Sequence, residues 1–254
     1  MKARILGSGT SSGVPRLGND WGACDPAEPR NRRTRASLLV EHAGVRVLVD
    51  TSPDMREQLL AANVDTVHAI IWTHDHADHC HGIDDVRQIY HAMGKPVRGL
   101  GRPATLEVIT RRFAYVFAGR EGYPATMTAE AMPDRFRVGG MTVSVVDQPH
   151  GRISSAGLRF EADGKAIGYA TDFHDLTPAM RDLYAGLDVW IVDALRHAPH
   201  PSHPTVAAVV DWARELKPGR TALIHMDNSM DYRTEAARLP AGIEPGYDGQ
   251  EFSL

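Results

Sequence analysis

Four side chains that can bind metal ions lie within six consecutive positions of this chain, at His74, His76, Asp78 and His79. They follow an apolar run, residues 69–72, whose length and β-branched content predict a buried strand that ends in a loop. In an extended or turning segment alternate side chains point the same way, so His74 and His76 can bind one ion. Asp78 and His79 lie past the turn and can face a second ion. Because imidazole and carboxylate suit Zn²⁺, Mn²⁺ or Fe ions, we interpret the string as a metal site rather than a histidine-rich surface loop.

Three further residues that can bind metals, His150, Asp172 and His225, stand where an apolar predicted strand gives way to a loop. A rigid sheet can hold ligands at such positions. Taken singly, a histidine or aspartate at a strand end is more often a turn or capping residue than a ligand. Asp227 lies two residues after His225 and is a competing candidate at the last position, where we keep His225.

The string His-x-His-x-Asp-His after a strand resembles the signature of the metallo-β-lactamase fold family, and the order of the three later candidates resembles it too. The resemblance implies two divalent metal ions, zinc or manganese, with Asp172 as a bridging ligand. The other implied ligands are His74, His76 and His150 for one ion and Asp78, His79 and His225 for the second. It also implies an α/β fold, a four-layer αββα sandwich of two packed mixed β-sheets with helices outside.

The predicted secondary structure fits such a sandwich. Hydrophobic alternation and turn residues predict hairpins at residues 37–51 and 156–171. Helical spacing predicts helices, the first with Ser52 as its N-cap, at residues 52–62, 83–93, 103–118 and 205–216. No linker divides the chain, so we expect one hydrolase domain over residues 1–254, long enough to bury a large core.

Composition and termini narrow the setting in which the protein works. No apolar stretch approaches the roughly 18 residues of a membrane span, and the N-terminus lacks the apolar core of a signal peptide. The two cysteines, Cys24 and Cys80, do not indicate a disulfide framework. A cytoplasmic location is therefore expected. The net charge of −4 does not favour nucleic acid as a partner, and a homodimer is compatible with the sequence.

The glycine-rich run Gly7–Pro15 indicates a branch of the family. It resembles the opening of the phosphodiesterase branch, which includes tRNA 3′-end nucleases and phosphoribosyl cyclic phosphate phosphodiesterases. Its glycines, serines and threonine could present N–H groups and hydroxyls to a phosphate. The alternative is a tight turn after a first strand at residues 2–6.

A histidine-rich segment before the last predicted helix supplies the candidate general acid. The resemblance aligns His203 with the histidine that protonates the leaving alkoxide, while His197 and His200 are competing assignments. Only the imidazolium form can donate that proton. The resemblance also gives Asp78 a second role, as proton acceptor for the attacking water.

Two other segments have open roles. Residues 247–251 resemble the tail of the cyclic phosphate phosphodiesterases, and we prefer a structural role for them, as part of a final hairpin. The insert at residues 16–36 carries only Cys24 where some relatives have several cysteines, so a closed thiolate zinc site cannot form there. The insert ends in a basic cluster, Arg30–Arg35, which could meet a phosphorylated substrate or form a solvated loop.

The sequence thus predicts a dinuclear metal-dependent phosphodiesterase that hydrolyses a small, cyclic phosphodiester by attack of a metal-bridged hydroxide. A nuclease acting on tRNA 3′ ends is the first alternative, although no long basic arm is visible. A thioester or lactone hydrolase and a non-catalytic metal- or ligand-binding member of the fold are the others, because the fold alone does not choose the reaction.

Overall fold

Two seven-stranded mixed sheets dominate the computed structural model, which describes residues 1–254. The strands of the first sheet, in spatial order, are β14 (Glu251–Ser253), β1 (Lys2–Gly7), β2 (Ser37–His42), β3 (Val45–Val49), β4 (Ala69–Ile71), β5 (Val97–Gly101) and β6 (Met127–Ala131). Those of the second are β13 (Ile243–Pro245), β12 (Arg220–Ile224), β11 (Val189–Asp193), β10 (Lys165–Ala170), β9 (Ile153–Ala162), β8 (Met141–His150) and β7 (Arg135–Val138). The strands from β3 to β6 run parallel, as do those from β10 to β13, and the remaining pairs are antiparallel.

Eight α-helices and two short 3₁₀ helices connect the strands. The α-helices are α1 (Met55–Ala62), α2 (Ala77–Cys80), α3 (Val86–Met93), α4 (Pro103–Arg112), α5 (Ala114–Ala118), α6 (Pro178–Tyr184), α7 (Val206–Leu216) and α8 (Tyr232–Arg238). The 3₁₀ helices are Pro29–Asn31 and Ile83–Asp85. None of these helices combines the length and the apolar character that a membrane span requires.

Three apolar layers hold the sheets and helices together. The central layer contains 25 buried residues from the facing sides of both sheets, including Ile71, Phe160 and Ile191. Side chains of β8 alternate between this layer and the opposite face, because successive side chains of a strand point to opposite sides. One outer layer packs α1, α3 and α4 on the first sheet, and the other packs α6 and α7 on the second. The predicted four-layer αββα class is therefore confirmed, whereas the single domain over residues 1–254 stays a prediction.

The helix predicted at residues 83–93 begins as the 3₁₀ helix Ile83–Asp85 and continues as α3, whereas two other predicted helices have different bounds. The first begins at Met55 rather than at Ser52, and the Ser52 hydroxyl instead accepts a hydrogen bond from the Asp54 N–H at 3.2 Å. The predicted helix at residues 103–118 is two helices, because Phe113 has a non-helical backbone at φ −118° and ψ 41°. At this break the Phe113 ring packs edge-on against His81, with 5.5 Å between ring centroids. Neither difference moves a candidate metal ligand.

The predicted C-terminal hairpin is wrong. Strand β13 pairs with β12 in the second sheet, whereas β14 pairs with β1 in the first, so the intervening segment crosses between the sheets. Asp248 lies in this crossing, where its carboxylate accepts hydrogen bonds from the N–H and hydroxyl of Ser8 at 2.8 Å each. It also accepts from the N–H of Thr34 at 2.7 Å and from its hydroxyl at 2.6 Å. The segment therefore ties the start of the glycine-rich run to the end of the insert.

Removing the Asp248 carboxylate should destabilise the fold. We expect Asp248→Ala to lower the free energy of unfolding by about 2–4 kcal/mol, because the donors of Ser8 and Thr34 lose their acceptor. Asp248→Asn keeps one carbonyl oxygen and should lose less. Denaturant titration followed by circular dichroism measures both variants. An Asp248→Ala variant within about 0.5 kcal/mol of the unaltered protein would contradict this role.

Candidate metal centre

The predicted ligands come from strand ends of both sheets, which meet at one edge of the sandwich. The string that begins at His74 follows β4 and continues into the single turn of α2. On the second sheet, His150 is the last residue of β8, Asp172 follows β10, and His225 comes directly after β12. Because the sheets pack face to face, ligands at the ends of separate strands can surround a common centre.

The structure brings all seven predicted ligands into two groups that share Asp172. Within each group the candidate ligand atoms lie within 4.8 Å of one another. The groups are His74, His76, His150 with Asp172, and Asp78, His79, His225 with Asp172. Four of the six partners of Asp172 are buried, whereas His76 is exposed and Asp78 is partly exposed.

The two oxygens of Asp172 face different groups. Its Oδ2 lies 3.7 Å from His74 Nε2 and 3.6 Å from His150 Nε2. Its Oδ1 lies 3.2 Å from His79 Nε2 and 3.4 Å from His225 Nε2. Two ligand atoms bound tetrahedrally to one ion at about 2.0–2.1 Å are separated by about 3.3 Å. The spacing of the donor atoms therefore fits a divalent ion on each side of this carboxylate.

Buried ring nitrogens without partners support the same conclusion. The Nε2 atoms of His74, His79 and His225 are buried and make no hydrogen bond within the chain. Nearly all buried polar atoms in folded proteins have a partner, so an unpaired group of this kind requires an explanation. Neutral imidazole nitrogens beside a carboxylate are the donor set that divalent transition metals prefer. The residues present therefore fit divalent metal ions.

The histidines and aspartates of the cluster shift one another's pKa values. Burial lowers the pKa of His79, but the carboxylates of Asp172, Asp78 and Asp50 outweigh burial and raise it well above its usual value. Burial also lowers the pKa of His225, but the carboxylates of Asp172, Asp78 and Asp193 outweigh burial and raise it to about 9. Burial alone would raise the pKa of Asp172, whereas His225 and His79 lower it well below its usual value. Positive charge close to Asp172 therefore stabilises the cluster.

Two aspartates that the sequence analysis missed support the predicted residues. Asp50 follows β3, is fully buried, and lies with Oδ2 2.7 Å from His79 Nδ1. Asp193 ends β11 and lies with Oδ2 2.6 Å from His203 Nδ1 and Oδ1 4.0 Å from His225 Nδ1. A carboxylate that accepts from one ring nitrogen orients the other nitrogen toward a metal or a substrate. Both residues follow an apolar strand, the same signal that identified Asp172.

The three histidines that competed for the general acid have different surroundings. His203 Nε2 lies 3.9 Å from Asp172 Oδ2, and its ring stacks on His225 with 4.7 Å between centroids. His197 is half-exposed and pairs with Glu235 at 3.0 Å instead. His200 Nδ1 accepts from the Ser202 N–H at 3.3 Å, and its ring lies beside that of His203. The structure thus brings His203 to the cluster and leaves His197 outside it.

The glycine-rich run and the basic cluster are used within the fold. Most N–H groups of the run donate to carbonyls of distant segments, such as those of Thr34 and Met226, or to Asp248, and only the Gly13 N–H makes a local turn bond, to the Thr10 carbonyl at 2.8 Å. In the insert, Arg33 is buried and donates to the Met230 carbonyl at 2.6 Å, while Arg30 packs over the Tyr232 ring at 4.8 Å. These contacts join the insert to the segment after His225. The alternative ligand Asp227 pairs with Arg196 at 3.6 Å and lies outside both ligand groups.

A comparison of the sequence with models of known protein families identifies the family of this chain. The model described as "Beta-lactamase superfamily domain" matches residues 45–226. The chain belongs to the beta-lactamase superfamily. That match includes every candidate ligand and the supporting residues Asp50 and Asp193.

Three similar proteins illustrate the range of the superfamily. A solved diphosphatase from the PhnP family is 34% identical with a TM-score of 0.91, covering 100% of this chain and 97% of that one. An octanoyltransferase of Porphyromonas gingivalis is 33% identical over 99% of this chain, which spans only 51% of that protein. Zn²⁺-bound PqqB from Methylobacterium extorquens is 20% identical with a TM-score of 0.82 over the full length of both chains, which shows the fold alone. The first similarity supports the predicted phosphodiesterase branch.

Neutralising Asp50 should weaken metal binding without removing a ligand. Asp50→Asn keeps the shape but loses the charge that faces His79 Nδ1, so we expect about 10- to 100-fold lower affinity for Zn²⁺. Competition with a chromogenic chelator measures this affinity. Asp65→Asn, at an exposed carboxylate that pairs with Arg46 and belongs to neither ligand group, is the matched control. Equal affinities of the two variants would show that Asp50 does not support the ligand.

Proposed function

We propose that the protein is a dinuclear metal-dependent hydrolase of small phosphodiesters. The observation that carries this proposal is the position of Asp172, whose two oxygens each face a separate set of histidine and carboxylate donors. The proposed ions are Zn²⁺ or Mn²⁺. Their proposed ligands, with Asp172 shared, are His74, His76 and His150 on one side and Asp78, His79 and His225 on the other.

Two divalent ions, when bound, would lower the pKa of a water molecule and offset negative charge on the phosphoryl group. The protein would then have to accept a proton from that water and supply one to the leaving group. Asp78 suits the first role in addition to its role as ligand. Although burial opposes ionisation, His79 and His225 lower the pKa of Asp78 well below its usual value, so its carboxylate is ionised and available to a metal ion. The proton-acceptor role rests on its position in the cluster and on the partial solvent access of its side chain.

His203 suits the second role. Asp193 accepts from Nδ1 of His203, which directs Nε2 toward the face of the cluster occupied by Asp172 Oδ2. Only the imidazolium form of a histidine can donate a proton to the leaving oxygen. His203 is therefore proposed to protonate the leaving oxygen. The ring of His200 lies beside that of His203, with 5.0 Å between ring centroids.

A small substrate is favoured over tRNA. The net charge is −4, and the main basic cluster is already engaged by Tyr232, Met230 and Asp54. Binding a long polyanion depends on many free Lys and Arg contacts to phosphates. We further propose a cytoplasmic location.

Phosphoanhydride hydrolysis is a second candidate. The diphosphatase that is 34% identical over nearly its whole length favours it. Attack at phosphorus with an oxygen leaving group is common to both reactions, so one cluster could serve either. Thioester and lactone hydrolysis have less support, although the similarity to an octanoyltransferase makes an octanoyl thioester a useful comparison substrate.

The reaction class can be tested with metal-stripped protein reloaded with Mn²⁺ or Zn²⁺. We expect metal-dependent release of p-nitrophenol from bis(p-nitrophenyl) phosphate, measured beside a dinucleoside diphosphate, an octanoyl thioester and a lactone. Turnover of the diphosphate alone would favour the second candidate. Turnover of only the thioester or lactone, or of none of the four, would overturn the proposal.

Removing His203 should impair turnover but not metal binding. We expect His203→Ala to lower kcat by about 10²–10⁴-fold on a diester with an alkoxide leaving group, with metal content unchanged. The loss should be smaller when p-nitrophenolate leaves, because that anion needs no proton. His197→Ala is the matched control and should behave like the unaltered protein. If His203→Ala has the same kcat as His197→Ala on the diester with the alkoxide leaving group, the acid role is ruled out.

A further inference from the structure

A groove beside the metal cluster has no role in the chemistry described above. Its volume is about 670 Å³, within the range of roughly 300–1,000 Å³ of small-molecule sites. One wall is formed by the first two turns of α4, including Ala104 and Val108, and the other by the turn between β8 and β9, including Arg152 and Ile153.

Two residues that line the groove are close neighbours of cluster ligands in the chain. Asp75, which lines it, lies between His74 and His76 in the sequence. Arg152 is two residues beyond His150, a distance that the chain spans in at most about 7 Å. His76 and His150 are themselves adjacent, with His150 Nε2 3.3 Å from His76 Nδ1. A group bonded to a phosphate at the cluster could therefore extend directly into the groove.

Charge around the groove is largely paired, with one exception. Arg102 forms ion pairs with Asp134 at 2.8 Å and Asp147 at 2.7 Å. Asp75 is held by Arg112, which donates to its carbonyl at 2.8 Å. Arg152 is exposed and makes no ion pair within 4.0 Å and no hydrogen bond within the chain. Its guanidinium is therefore free to contact an anionic ligand in the groove.

The remaining walls offer apolar surface. Pro103, Ala104 and Val108 line one side and Ile153 the other. Ile153 is among the few large apolar side chains that are exposed, at 39%. An amphipathic organic group with a flat or apolar face matches such walls, and a guanidinium can both pair with phosphate and stack on a ring.

We propose that this groove binds the organic group retained on the scissile phosphate, of the size of a nucleoside, and that Arg152 contacts the phosphate-bearing end of that group. The inference rests on the proposed phosphodiesterase function and adds to it a specificity site made by α4 and the β8–β9 turn. A substrate whose retained group is small leaves the groove empty and makes no contacts with its walls.

Two diesters with the same leaving group test the groove. Thymidine 5′-(p-nitrophenyl phosphate) and methyl p-nitrophenyl phosphate both release p-nitrophenolate and differ in the retained group. We expect a higher kcat/KM for the nucleoside ester, and we expect Ala104→Trp, which fills the groove from its α4 wall, to reduce the ratio of the two values at least about tenfold. Glu107→Trp, on the exposed face of the same helix, is the matched control and should leave the ratio unchanged.

Binding of thymidine 5′-phosphate to the metal-loaded protein, followed by calorimetry, provides a measurement independent of turnover. Arg152→Ala should weaken this binding about 10-fold or more, whereas Arg137→Ala, at an exposed arginine of β7, should not. A ratio near one in the unaltered protein, an unchanged ratio in Ala104→Trp, or equal binding by the two arginine variants would overturn the inference. If neither diester is hydrolysed, the proposed function fails, and the calorimetric comparison still decides whether the groove binds a nucleotide.

Discussion

The buried carboxylate of Asp172 is the group on which the arrangement of the site depends. Placing a carboxylate in a protein interior costs several kcal/mol unless positive charge or hydrogen bonds compensate it. Here Nε2 atoms of His74, His79, His150, His203 and His225 approach its oxygens at 3.2–3.9 Å. Because the two oxygens face opposite groups of donors, this one residue defines both the spacing and the orientation of the two donor groups.

Buried hydrogen bonds hold this carboxylate in place, although the backbone that carries it is strained. Asp172 has φ +52° and His225 has φ +56°, left-handed conformations that non-glycine residues adopt at a cost of roughly 1–3 kcal/mol. Ser155 on β9 donates to the Asp172 carbonyl at 2.7 Å, and Gln148 on β8 donates to the Thr171 carbonyl at 3.0 Å. These neighbouring strands fix the backbone beyond β10, so the strained turn is retained and directs its side chain into the cluster.

Site residues that lie close together in the sequence could be predicted from it, whereas residues brought together only by packing could not. His74 to His79 form a compact string that few other structures require, and the later ligands share its position at a strand end. Asp50 and Asp193 have that position too, but a single aspartate after a strand has no neighbour that distinguishes it from a turn residue. Only the packing of the sheets brings them to His79 and His203. The break at Phe113 and the crossing near Asp248 likewise depend on contacts between residues distant in the chain.

In the proposed reaction, substrate choice has to be made outside the ligand groups, because residues that bind the proposed ions would contact only the phosphate that is cleaved. The insert at residues 16–36 is poorly suited to this task, since its arginines hold it to the segment after His225. Helix α4 and the β8–β9 turn differ in that respect. Their backbone is anchored by the sheets, while the Arg152 side chain in the turn has no ion pair that would have to be broken and Ile153, at the start of β9, is partly exposed. A change of side chain there alters recognition without disturbing Asp172, so reaction and specificity can vary separately in this fold.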